Sequence, residues 1–122
     1  MGKRRSPEER AEERRREELA RAATSEAELE PFLTDPNRSI RTVAAMNPQA
    51  SAEILDRFAE DRFWGVRMEV VRHPRTGRST LLGLLEQDAR SRGVVHNAAR
   101  KRLEADGVAF GPDGIPAPFA DR

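Results

Sequence analysis

Apolar positions fall into short helical stripes separated by polar turns. Ile40, Val43 and Ala44 recur at i, i+3, i+4, the spacing of one helix face. Ile54, Leu55, Phe58 and Ala59 form a second stripe, behind Ser51 as an N-cap. Between them, Asn47–Pro48 must end the first helix, because the residue before a proline is pushed out of the helical region. The layout recurs downstream as Val66, Val70 and Val71, then His73–Pro74, then Leu81, Leu82, Leu84 and Leu85. The run 8–23 differs. Ser6 is placed to N-cap it, Pro7 suits its first position, and Glu9 completes a capping box. Glu12–Arg16 and Glu17–Arg21 are i,i+4 pairs in the favourable order. Its apolar content is alanine plus Leu19, so Leu19 and Ala23 are expected to touch the body.

The recurrence is a repeat. Residues 35–60 align on 61–86 with identities at Asp35/Asp61, Arg41/Arg67, Pro48/Pro74, Leu55/Leu81 and Glu60/Glu86. A third unit starts at Asp88, where Val94, Ala98 and Ala99 fall on the Ile40, Ala44, Ala45 pattern. Upstream, Leu29, Phe32 and Leu33 fall on Leu55, Phe58 and Ala59, a half unit. A period near 26 residues lies in the range of stacked repeats, and helices this short cannot bury a stripe alone.

The Asp start, the (Ile/Val)-Arg pair, the short aliphatic helix, Asn/His-Pro and the Leu-rich second helix together resemble the leucine-rich repeat variant family, close to HEAT repeats. Asp35, Ile40, Arg41, Asn47, Pro48, Leu55 and Asp61, then Val66, Arg67, His73, Pro74 and Leu81, carry the resemblance. It spans about residues 24–105. The third unit departs, with Val95 where Arg is expected and Lys101–Arg102 where Asn-Pro is expected. One continuous helix from Val94 to Ala105, serving as a C-terminal cap, is expected there. The resemblance implies an all-α, right-handed α-solenoid of about three short helix–helix repeats. The expected organisation is a charged N-terminal helix (1–23), a repeat domain (24–106) and a Pro/Gly-rich tail (107–122). The repeat units lie near 24–34, 35–60, 61–87 and 88–106.

Composition narrows the chemistry. The 122 residues contain no cysteine, which excludes disulfides, thiolate metal sites and a thiol nucleophile. No apolar run approaches the ~18 residues of a membrane helix, and no apolar stretch follows the basic start, so neither a membrane span nor a secretory leader is expected. A cytoplasmic protein is expected. The net charge of +1 conceals an asymmetry: residues 24–60 carry three basic and seven acidic side chains, whereas 61–107 carry ten and six.

Asp35, Asp61 and Asp88 with Arg41 and Arg67 recur once per unit, which suits caps and inter-unit pairs better than a ligand site. His73 and His96 are the only histidines. His73 stands in the place of Asn47, so a turn role is expected, and neither residue has a carboxylate pair at metal-ligand spacing. No cofactor, metal or catalytic residue is assigned. Phe63–Trp64 stand where the preceding unit has the polar Asn37–Arg38. Aromatics and arginines are enriched in binding hot spots. Phe63, Trp64, Arg62, Arg67, Arg38 and Arg41 are therefore the candidate partner-binding residues, in a non-catalytic protein-interaction or adaptor module. The alternative is a nucleic-acid-binding repeat using Arg62, Arg67, Arg90 and Arg92. An enzyme of unassigned type is the third reading. In the tail, Phe110, Ile115 and Phe119 are apolar anchors, for a disordered end, a strap or a linear motif.

Overall fold

A computed structural model describes residues 4–117. Among these residues the protein is all-α, with a single antiparallel bridge between Phe110 and Pro116. The helices are α1 (Pro7–Ala22), α2 (Glu26–Leu29), α3 (Arg38–Met46), α4 (Ala52–Phe58), α5 (Trp64–Arg72), α6 (Arg78–Gly83) and α7 (Val94–Ala105). Two 3-10 segments, Glu30–Thr34 and Ala89–Ser91, complete the set.

Local signals explain the boundaries. Ser6 and Glu9 form the expected capping box on α1. Ser51 accepts the Ile54 N–H at 3.1 Å and starts α4. Asn47 and His73, each before a proline, leave the helical region and stop α3 and α5. Gly107, at φ +93°, ends α7 in a Schellman turn, with Val108 N–H donating to Leu103 O and Gly107 N–H to Glu104 O.

The helices α1, α3, α5 and α7 pack in succession. The 3-10 segment Glu30–Thr34, α4 and α6 pack against α3, α5 and α7 respectively. Leu29, Ile40, Ile54, Leu55, Phe58, Val66, Val70, Leu81 and Leu103 are fully buried in the shared core.

Two polar ladders cross the stack. At one edge Arg16 Nε donates to Asp35 Oδ2 at 2.9 Å, and Arg41 Nε donates to Asp61 Oδ2 at 2.7 Å. Arg41 also donates to Asp35 O, and Arg67 to Asp61 O, both at 2.7 Å. The carboxylates of Asp35, Asp61 and Asp88 each accept the backbone N–H two residues on. At the other edge, Asn47 Nδ2 donates to the carbonyls of Ala20 and Ala23, which end α1. His73 Nε2 meets Asn47 O at 2.8 Å, and its Nδ1 accepts the Arg75 N–H, so Nε2 carries the proton. Arg102 Nη1 donates to the carbonyls of Val71 and His73 at 2.6 Å. Each step satisfies carbonyls that a helix end leaves open.

The ladders revise several expectations. Arg16 does in α1 what Arg41 does in α3, so α1 shares the ladder that joins the later helices. Leu19 is 49% exposed, while Ala20 with Ala23 faces the core: side chains that must approach α3 closely are the small ones. Leu82 faces outward, leaving Leu81 of α6 and Leu84 just after it as the buried leucines. In α7 the register moves by one: Val94 is 57% exposed, and Val95, Ala99 and Leu103 are buried. Arg102 then stands where Asn47 and His73 stand, and His96 where Arg41 and Arg67 stand.

The tail folds back as far as it is described. Val108 and Phe110 pack on the core, and the Arg100 guanidinium lies 4.8 Å over the Phe110 ring. Arg92 donates to the carbonyls of Glu86, Gln87 and Asp113. Ile115 is half-buried in this strap, and Phe119 lies outside the described residues.

Candidate interaction site at the Phe63–Trp64 edge

The loop after α4 and the start of α5 build this site. Asp61 accepts the Phe63 N–H at 2.9 Å and fixes the turn. Phe63 takes the N-cap position of α5 and offers no side-chain cap. In the sister loop Asn37 caps α3 through Ser39 N–H and also donates to Glu13 of α1. Phe63 replaces that polar role with packing. Its ring is half-buried against the core and lies so close over Gly65 that a Cβ there would meet the ring at 2.5 Å. Phe63 therefore has a structural duty: it is tucked against the core over Gly65.

Trp64 does not share that duty. It opens α5, is 54% exposed, and touches Phe63 with ring centroids 5.8 Å apart and planes tilted by 54°. The Arg38 guanidinium also lies 4.4 Å over the Phe63 ring. Arg38, Phe63 and Trp64 thus form one continuous cation–aromatic strip from α3 to α5.

Two adjoining depressions run beside the strip. One, of about 310 Å³, is lined by Pro36, Arg38, Arg41, Arg62 and Phe63. The other, of about 370 Å³, is lined by Leu33, Thr34, Pro36, Glu60 and Arg62, together with Asp35 and the Arg41–Asp61 pair. So the structure gathers Arg38, Arg41, Arg62, Phe63 and Trp64 at one edge, yet in different states. The Arg41 and Asp61 side chains are only 6% and 7% exposed and are bound to each other. Arg67 is held by Asp61 O. Neither Arg38 nor Arg62 makes an ion pair among the described residues. Pro36 and Leu33, which wall the groove, went unmarked in the sequence because neither departs from an ordinary loop or core residue.

The residues named for nucleic acid are dispersed in role. Arg92 is spent on three backbone carbonyls and Arg67 on one, while Arg90 is exposed beside Asp88 at 3.4 Å. Both histidines hydrogen-bond within the fold. His73 is locked between Asn47 and Arg75, and His96 Nδ1 accepts the Glu86 N–H at 2.9 Å. Burial, with Arg92 and Arg100 nearby, pushes the His96 pKa below the ordinary imidazole value. Among the described residues, no group of three or more His, Asp or Glu could hold a metal ion, and no helix is long and apolar enough to cross a membrane.

Compared with family models, with curated proteins and with solved structures, the chain shows no match.

Proposed function

We propose that the chain is a non-catalytic, cytoplasmic interaction module, a small right-handed α-solenoid resembling leucine-rich repeat variant and HEAT arrays, that docks another protein at the Trp64 edge. The repeating ladders of Arg16, Arg41 and Arg67, and of Asn47, His73 and Arg102, support the stacked-repeat reading. The observation that carries the functional reading is Trp64. A large aromatic more than half exposed on an ordered helix, beside arginines, has the make-up of a hot spot and no packing task to explain it. The nucleic-acid reading has weaker support, since two of its four arginines are committed to backbone carbonyls. The test replaces Trp64 with a photo-crosslinking phenylalanine analogue and irradiates nuclease-treated extract of the source cells. A discrete protein adduct formed at position 64, and absent when the same analogue replaces exposed Leu82, is the expected result. Adducts to nucleic acid alone, or no adduct specific to position 64, would refute it.

A further inference from the structure

The chemistry of the Trp64 edge also narrows what docks there. Arg38 and Arg62 both line the smaller depression, and no carboxylate does. The third cation, Arg41, is already neutralised by Asp61 at 2.7 Å. Two cations without carboxylate partners thus face a cleft walled by Pro36 and Phe63. Arg38 is preorganised as well. Its guanidinium lies 4.4 Å over the Phe63 ring, which is itself fixed above Gly65, and it makes no ion pair among the described residues, so it can take an acidic partner. The adjoining depression is of different character. Leu33 and Pro36 make its apolar wall, and Glu60 at its rim repels a second negative charge.

We infer that the occupant is an acidic segment of a partner protein, which sets a carboxylate between Arg38 and Arg62 and an aliphatic side chain against Leu33 and Pro36. This rests on the docking reading above and adds the partner's chemistry. A guanidinium already held over an aromatic ring loses little freedom on taking a carboxylate, which favours a defined acidic group over diffuse attraction. The position of Glu60 gives the segment a direction, acid toward Arg38 and aliphatic toward Leu33.

The experiment measures fluorescence anisotropy of the full chain with a short fluorescein-labelled peptide of Asp, Glu and Gly carrying one Leu. The controls are its Asn/Gln counterpart, its Leu-to-Gly counterpart, and an oligothymidylate of equal charge. Saturable binding of the acidic peptide is expected. Arg62→Glu and the neutral peptide should each weaken it by about tenfold or more, and the loss of Leu by a smaller factor. Arg62→Gln, which keeps the side chain's bulk, guards against a misfolded reversal and should weaken binding in the same direction. The inference is overturned if the acidic peptide does not saturate, if the neutral peptide binds equally well, or if the oligothymidylate binds more tightly. It is also overturned if sedimentation shows self-association that Arg62→Gln abolishes, because the occupant is then a second copy. A protein crosslink at position 64 without acidic-peptide binding sinks this inference alone and leaves the docking reading in place.

Discussion

Arg41 and Asp61 show how much one residue can hold in this small chain. Their side chains are almost out of water, and the arginine also ties down Asp35 O. Removing one partner leaves the other charge buried, so Arg41→Ala is expected to cost about 3–5 kcal/mol in a urea melt. The exposed pair Arg57–Glu30, at 3.2 Å, is the contrast: Arg57→Ala should cost less than about 1 kcal/mol. Similar values for the two substitutions would mean that Arg41 is not the joint described. His96 makes a pH prediction. Its folded pKa lies below the unfolded one, so its stabilising contribution is fully present above the unfolded imidazole pKa. That contribution is lost as pH falls from there through the lowered folded value. Chemical melts at about pH 7.5 and about pH 5 should therefore show an acid-side loss that shrinks in His96→Asn. An unchanged loss would assign the pH dependence to other groups.

Among the elements, Leu81→Ala is the sharpest test of packing. Leu81 is buried in the core cluster with Leu55 and Phe58, and the substitution should cost about 2–5 kcal/mol in the same melt. A change below about 1 kcal/mol would place it elsewhere. These stripes were readable from sequence because prolines and serine caps punctuate them, and the helix of 94–105 was readable from its unbroken run. The register of α7 was not. The step from Asn47 to His73 is 26 residues, but from His73 to Arg102 it is 29, because the loop holding the Ala89–Ser91 turn is longer. Val94 and Val95 look alike in composition, and only packing into the core separates them. The reach of Arg16 to Asp35 is hidden for a similar reason: α1 is rich in arginine, and nothing local marks the one that makes it. At the site, Trp64 and Phe63 stood out by contrast with Asn37–Arg38. The cation stack of Arg38 on Phe63, by contrast, depends on the spacing of α3 and α5 and has no sequence signature.

At the scale of the whole molecule, the ladders and the strap leave the Trp64 edge as the place where, among the described residues, a large aromatic faces outward without a structural task. The most direct measurement compares Trp64→Ala with the unchanged chain in two readouts: the chemical melt, and capture of the protein crosslinked at position 64. The account predicts a loss of stability of about 1 kcal/mol or less together with loss of capture, because truncating an exposed aromatic hot spot removes binding and little packing. A variant that melts much earlier yet still captures the partner would contradict it, and would make Trp64 a core residue with the docking surface elsewhere.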